Sequence, residues 1–262
     1  MMMTKHWSGG ERARGVVSLT YDDGLPHHCE VVGPMLAERG FAGTFYVPVL
    51  SDLLERPEAW AALAAAGHEL GNHSIFHPCR KEGGLKDLPW LDDGRDLRRY
   101  TVERWAEEVR VANGVLRLVD GRDSRSYGNT CHHETVGFAE SAGGEGEISL
   151  RPVMREYFSA ARGPRREQIL RPDVEGGCDL SSLGCFKGDD RDFEGMKTEI
   201  DEAVACGGWI IYCMHGVGPA EHNLHIDAGV HERVLDYLVA LGDAVWVAGV
   251  DEVARGLRPR ES

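Results

Sequence analysis

The sequence contains no pair of cysteines at the C-x-x-C spacing, and its 7 cysteines are scattered over 262 residues. Closely spaced pairs are typical of zinc ribbons, and even numbers are typical of disulfide frameworks in small secreted domains. The pattern therefore argues against both. We expect reduced thiols and a cytoplasmic protein.

Long apolar runs and positive charge are also scarce. No run approaches the roughly 20 apolar residues of a membrane span, and residues 1–14 lack the apolar core of a secretion signal. The 29 lysines and arginines are outnumbered by 43 aspartates and glutamates, which gives a net charge of −14. Nucleic acids and membranes are therefore excluded as expected partners. A strongly anionic substrate is disfavoured too, unless a local basic patch outweighs the total.

Apolar runs alternate with segments of helical periodicity, and 42% of the residues are hydrophobic. The predicted strands are 16–19, 41–49, 68–73, 157–163, 209–214 and 244–247, and the predicted helices are 60–66, 100–118, 193–205 and 231–241. Such alternation favours a parallel sheet with right-handed crossovers. The length suits an α/β barrel, and we find no internal repeat, linker or second domain.

Two adjacent carboxylates follow the first of these strands. Asp22 and Asp23 can converge on one site only if the strand ends there, because neighbouring side chains of a strand point to opposite faces. Gly24 allows this end, since glycine adopts backbone angles that other residues avoid. Paired acids at the carboxyl end of a buried strand are typical of α/β enzymes. The alternative is an ordinary turn, because Asp-Gly is a common turn dipeptide.

Histidines follow two other predicted strand ends. His73 and His77 are four residues apart, on one face of a helical turn, and His215 follows the most apolar strand. A barrel would gather them with the aspartates at one rim. Asp23, His73 and His77 could then hold Zn²⁺, or Co²⁺, Mn²⁺, Ni²⁺ or Fe²⁺, with one position open to water. The alternative is a pair of surface histidines without a metal.

Four stretches resemble motifs of one known family. Thr20–Gly24 resembles T-F-D-D-G, His73–Pro78 matches H-[ST]-x-x-H-P, Gly43–Val47 resembles a T-F-F-V strand, and Ile211–His215 resembles a late strand that ends in a catalytic histidine. These are motifs of the polysaccharide deacetylases, also called NodB homology proteins or carbohydrate esterase family 4. The resemblance implies a distorted, incomplete (β/α) barrel. It also implies that residues 1–262 form a single catalytic domain with a core of about 16–253.

The resemblance assigns roles to individual residues. It implies three metal ligands, which are Asp23, His73 and His77. Asp22 would be the general base, and His215 would be the general acid. Both roles suit the chemistry, because water must lose a proton to attack an amide and the amine must gain one to leave.

The third family motif, R-x-P-x-G or Y-P-x-G, is only partly matched. The nearest stretch is 125–129, which has no proline. Within it, Tyr127 is our candidate for the backbone N–H that binds the oxyanion. Arg162 is the alternative to Arg125 as the arginine beside the base, and Asp179 is our candidate for the aspartate that orients the catalytic histidine.

Several histidines lie outside these motifs. We expect most of them at exposed helix starts or in a solvated loop, because polar segments surround them: His27, His28, His222, His225 and His231.

The resemblance implies metal-dependent removal of an acetyl group from an N-acetylated or O-acetylated sugar or oligosaccharide. A small soluble N-acetyl sugar is the preferred substrate, because we see neither an export signal nor extended aromatic platforms for a polymer. Two alternatives stay open: a related C–N hydrolase that acts on a cyclic or linear amide such as allantoin or an imide, and a carbohydrate- or metal-binding module without turnover. The oligomeric state, including a homo-oligomer, is also open.

Overall fold

The protein is described by a computed structural model that covers residues 15–138, 146–218 and 222–257. Residues 1–14, on which the expectation about a secretion signal rests, lie outside this description. In chain order the strands are β1 (Gly15–Asp22), β2 (Thr44–Val47), β3 (Glu69–Asn72), β4 (Tyr127–Gly128), β5 (Thr135–Val136), β6 (Ile148–Ser149), β7 (Ala161–Arg165), β8 (Leu183–Lys187), β9 (Trp209–Met214), β10 (Gly216–Val217), β11 (His225–Ile226) and β12 (Val245–Val247). The α-helices are α1 (Gly33–Ala37), α2 (Asp52–Glu55), α3 (Pro57–Ala65), α4 (Val102–Asp120), α5 (Arg151–Tyr157), α6 (Phe193–Cys206), α7 (Ala228–Leu241) and α8 (Val250–Leu257).

A ring of parallel strands forms the centre of the fold. Its order is β1-β2-β3-β4-β7-β8-β9, and β9 closes the ring by pairing with β1 from Val16↔Trp209 to Tyr21↔Met214. β12 and β2 both pair with β1. β12 pairs with the first residues of β1, and β2 pairs with the last residues of β1. The ring has seven strands, one fewer than the eight of a complete barrel. The predicted distorted, incomplete (β/α) barrel is therefore confirmed.

The sequence explains why these elements form. Both β1 and β9 are buried along their whole length. β9 accordingly reads as a continuous apolar run, as expected for a strand that is covered on both faces. Helix α4 begins where the Thr101 hydroxyl accepts a hydrogen bond from Arg104 N (3.2 Å), and it ends at Gly121 with φ 71°. No helix among the described residues is both long and apolar enough to cross a membrane.

The strand predicted at 157–163 begins later than expected. Residues Arg151–Tyr157 form α5, and β7 begins at Ala161. Pro152 lies in the first turn of α5, where its fixed φ favours a helix. That proline was the signal for a helix, and the aromatic residues at the helix end suggested a strand instead.

A disulfide bond joins Cys79 to Cys131, so the expectation of reduced thiols is wrong for this pair. The two residues are 52 positions apart. They meet because Cys79 follows the end of β3 and Cys131 follows the end of β4, and these strands are neighbours in the ring. Such a contact depends on the tertiary fold, and the cysteine spacing carries no sign of it.

The amino-terminal end of the barrel is held by one buried carboxylate. Glu69, which is 4% exposed at the start of β3, accepts hydrogen bonds from Ser126 N and Ser126 Oγ, both at 2.7 Å. Its other oxygen accepts from Thr44 Oγ1 (2.7 Å) and from Asp251 N at the start of α8 (3.0 Å). One side chain thereby connects β2, β3, the start of β4 and α8.

We expect Glu69→Ala to lower the free energy of unfolding by at least about 3 kcal/mol, because it leaves several buried donors without an acceptor. Urea unfolding followed by tryptophan fluorescence would measure the change. The control is Glu202→Ala on the exposed side of α6, which should stay within about 0.5 kcal/mol of the parent protein. Equal unfolding midpoints for Glu69→Ala and the parent would contradict this account.

Candidate active site

The carboxyl ends of β1, β3 and β9 meet at one rim of the barrel, as predicted from the sequence. β1 ends at Asp22, and Asp23 follows with φ 76°. This left-handed conformation turns the chain sharply, so that both carboxylates reach the same site. His73 follows β3 directly, and His215 follows β9 directly.

The three predicted metal ligands lie together at this rim. Asp23 Oδ1 is 3.6 Å from His73 Nε2 and 3.2 Å from His77 Nε2, and the donor atoms of all three residues lie within 4.8 Å of one another. His73 Nδ1 donates to Gly128 O (2.7 Å), so its Nε2 is free for a metal. Asp23 Oδ1 is buried and has no hydrogen-bond partner. Two imidazole nitrogens and one carboxylate oxygen fit a divalent cation such as Zn²⁺.

The second carboxylate has a different neighbour. Arg162 is completely buried, and its Nη2 donates to Asp22 Oδ2 (2.6 Å) while its Nη1 donates to Thr20 Oγ1 (3.1 Å). Burial alone would raise the pKa of Asp22, but the charges of Arg162, His73 and His215 outweigh it and lower the pKa to about 2. Asp22 is therefore ionised at neutral pH.

The other candidate arginine takes no part in this site. Arg125 Nη1 donates to Leu70 O (2.7 Å) and pairs with Asp120 Oδ2 (3.0 Å) at the opposite end of β3. Of the two arginines considered from the sequence, the structure thus brings Arg162 to Asp22.

A buried aspartate holds His215, but it is not the predicted one. Asp189 accepts from His215 Nδ1 (2.7 Å) and from His215 N (2.9 Å). Burial alone would lower the pKa of His215, but the hydrogen bond to Asp189 and the charges of Asp22 and Asp23 raise it to about 9. Asp179 instead binds Arg151 and accepts from Ser181 N (2.9 Å), away from His215.

Asp189 was missed because the strand before it was not recognised. Residues 176–192 read as polar and irregular, yet Leu183–Lys187 form β8. Asp189 follows the end of this strand, at the rim where barrels place functional groups. The apolar residues Leu183, Cys185 and Phe186 were the available signal.

Tyr127 does not present a free backbone donor. Its N–H donates to Ala160 O (2.9 Å) between neighbouring strands. Its ring is buried, stacked on Phe158 and in edge contact with Trp105. The interpretation of Tyr127 as the oxyanion donor is therefore corrected, because the sheet already uses this N–H.

Two histidines that we expected at exposed positions belong to the site. His222 stacks on His215 with ring centroids 5.2 Å apart, and its Nε2 is 3.5 Å from Asp23 Oδ2. His28 is buried, and its Nε2 donates to His215 O (2.8 Å). His231 is also buried, bonded through Nε2 to Tyr21 OH (2.8 Å). No local pattern in the sequence distinguishes these histidines from exposed ones.

A cleft of about 270 Å³ opens beside the donor residues. Phe76 and Trp90 line it and are each 40% exposed, and the Trp90 ring lies 5.6 Å from the His77 ring. Arg95 contributes a positive group to the same wall. The cleft therefore combines an apolar surface with donors for a cation, a combination common in ligand sites.

The barrel and its rim define a NodB-type (β/α)-barrel protein, and the comparisons with known proteins agree. The sequence profile of the family described as Polysaccharide deacetylase matches residues 9–128. This match confirms the resemblance found in the motifs. A putative polysaccharide deacetylase from Mycobacterium smegmatis has the same fold, with a TM-score of 0.59 and 17% identity over 98% of this chain and 96% of that one. PdaA of Bacillus subtilis, a family 4 carbohydrate esterase, gives a TM-score of 0.52 and 16% identity over 97% and 87%.

Two curated relatives match at higher identity but over unequal lengths. A gellan lyase from a Bacillus species is 33% identical over 272 residues, which is 95% of this chain and 10% of that protein. A chitooligosaccharide deacetylase from Sinorhizobium fredii is 31% identical over 102 residues, which is 38% of this chain and 47% of that protein. The chain thus spans a tenth of the first relative and about half of the second.

Replacing the partner of His215 should change its protonation. We expect Asp189→Asn to lower the pKa of His215 from about 9, because the variant removes the anion that stabilises the imidazolium. NMR titration of the His215 ring in metal-free protein would measure it. The control is Asp190→Asn, whose exposed carboxylate pairs with Lys187 (2.8 Å). An unchanged His215 pKa in Asp189→Asn would refute the assignment.

Proposed function

We propose that the chain is a metal-dependent hydrolase that removes acetyl groups from an N-acetylated or O-acetylated sugar or oligosaccharide. The match of residues 9–128 to the polysaccharide deacetylase family supports sugar deacetylation. The observation that carries the finer proposal is the group of donor atoms of Asp23, His73 and His77, within 4.8 Å of one another beside the cleft. Zn²⁺ is the preferred metal, and Co²⁺, Mn²⁺, Ni²⁺ and Fe²⁺ suit the same donors.

The cation supplies two things when it is bound: it polarises the acetyl carbonyl, and it lowers the pKa of water toward about 7. The proton chemistry belongs to the protein. Asp22, kept ionised by Arg162, is the base that takes a proton from the attacking water. His215, kept protonated by Asp189, is the acid that gives a proton to the leaving nitrogen.

Asp22 and Asp23 therefore have different roles, because their surroundings differ. Asp22 Oδ2 lies against a guanidinium, and Asp23 Oδ1 lies against two imidazoles. Separate environments for two carboxylates are a common way to obtain separate roles. Arg162 and Asp189 contact the base and the acid, and we assign both to positioning and charge rather than to proton transfer.

A small N-acetyl sugar is the proposed substrate. Ligand pockets usually have at least about 300 Å³, and the cleft of about 270 Å³ lies near this lower limit. Phe76 and Trp90 offer an apolar surface for one sugar ring rather than for a long polymer. The chitooligosaccharide deacetylase relative acts, by its name, on short sugars.

The cytoplasmic location stays a prediction. The disulfide between Cys79 and Cys131 argues for an oxidising compartment, because such bonds are rare in the cytosol.

Acetate release from a panel of substrates would test the reaction class. The panel holds N-acetylated sugars, soluble chitooligosaccharides, acetylated xylan and a generic acetyl ester, and the protein is assayed as purified, after chelation and after Zn²⁺ or Co²⁺ is restored. We expect metal-dependent acetate release, highest on small N-acetyl sugars. No acetate from any substrate, with a metal still bound, would favour the cyclic-amide hydrolase or the binding module.

Asp22→Asn should lower kcat at least about 100-fold, because general base catalysis typically contributes 10²–10⁴-fold. Zn²⁺ binding, measured by competition with a chelator, should be retained. Asp179→Asn is the matched control and should keep full activity, since Asp179 binds Arg151 and Ser181. Full activity of Asp22→Asn would refute its role as base.

A further inference from the structure

A disulfide bond lies directly against one metal ligand. Cys79 follows His77 by two residues and is completely buried, and it is bonded to Cys131. Cys79 Sγ is 3.7 Å from His77 Nδ1, while His77 Nε2 is 3.2 Å from Asp23 Oδ1. The imidazole of His77 is therefore enclosed between the carboxylate that shares the metal and the disulfide sulfur.

Two further contacts fasten the same segment on either side of the disulfide. The Thr130 hydroxyl donates to Pro78 O, and Arg80 N donates to His133 Nδ1 (3.2 Å). Residues 78–80 are thus joined, one after another, to residues 130–133. The disulfide is the covalent link in the middle of this attachment.

The ligand His77 depends on this attachment more than His73 does. His73 follows β3 directly, and its Nδ1 donates to Gly128 O (2.7 Å). His77 lies beyond the strand with φ 52°, and its Nδ1 faces a sulfur, which is a weak acceptor. Cys131 also has a left-handed conformation, with φ 50°. Such conformations in non-glycine residues persist only when the surrounding structure enforces them.

We propose that the Cys79–Cys131 disulfide is a positioning element for the ligand His77, and that its reduction weakens metal binding. The inference rests on the proposed metal site. A phosphine such as tris(2-carboxyethyl)phosphine reduces the bond by two electrons. The S–S bond breaks, each sulfur gains one proton from water, and the phosphine becomes its oxide with the oxygen of that water. Residues 77–80 then keep only noncovalent contacts to 130–133.

The test measures the Zn²⁺ affinity of metal-free protein by competition with a chromophoric chelator. Oxidised protein, protein reduced with the phosphine and freed of it by gel filtration, and reoxidised protein are compared. Loss of groups that support metal ligands typically costs 10- to 100-fold in affinity. We expect a decrease of about this size on reduction and recovery on reoxidation.

Variants separate this disulfide from the other thiols. Cys79→Ser/Cys131→Ser should have the low affinity of the reduced protein and should not respond to the phosphine. Cys206→Ser replaces a cysteine that is free in the structure and should behave like the parent protein. If the double variant does not fold, the comparison of oxidised, reduced and reoxidised parent protein is sufficient to test the proposal. Circular dichroism then verifies that the reduced protein keeps its fold.

Melting temperatures and Co²⁺ spectra distinguish the alternatives. A disulfide that only stabilises the fold would lower the melting temperature on reduction and leave the affinity unchanged, which would overturn the positioning role while the metal site stands. A higher affinity after reduction, with a sulfur-to-cobalt charge-transfer band, would also overturn it, because the thiols would then bind the metal themselves. Absence of Zn²⁺ binding by the oxidised protein would overturn both this role and the proposed metal site.

Discussion

The buried ion pair between Arg162 and Asp22 is the interaction on which the rest of the site depends. The guanidinium is completely buried inside a ring of parallel strands, and its acceptors there include Asp22 and Thr20, both from β1. Loss of one partner of such a pair leaves an uncompensated charge, which typically costs about 3–5 kcal/mol. The pair joins β7 to β1, and it keeps Asp22 ionised. The same ion pair therefore contributes both to the assembly of the barrel and to the charge of the site.

The ion pair with Arg162 and the turn at Asp23 together explain how two adjacent aspartates acquire different surroundings. Asp22 completes the strand and faces inward to Arg162. Asp23 leaves the strand with φ 76° and faces the histidines of the rim, with His222 Nε2 at 3.5 Å and His215 Nε2 at 3.8 Å from its Oδ2. The turn at Asp23 is thus what divides one pair of identical side chains between two environments.

The sequence predicts the parts of the site that follow strong local patterns. Asp22, Asp23, His73 and His215 each lie at the end of a predicted strand, and parallel strands bring such ends together. Asp189 was not predicted because β8, the strand before it, lies in a stretch that reads as polar and irregular. The contacts of His222 and the pairing of Cys79 with its partner depend on distances between loops, which no local periodicity encodes.

Closure of the barrel has a consequence for how the chain folds as it is synthesised. β1 pairs with β9 from Val16↔Trp209 to Tyr21↔Met214, so the first strand must wait for residues made nearly 200 positions later. Until then one side of β1 stays open as an unpaired edge, which is a template for aggregation. Contacts of such long range also slow folding. The strand that carries Asp22 is therefore made well before the strand that closes the ring beside it, and this edge of β1 stays unpaired during the interval.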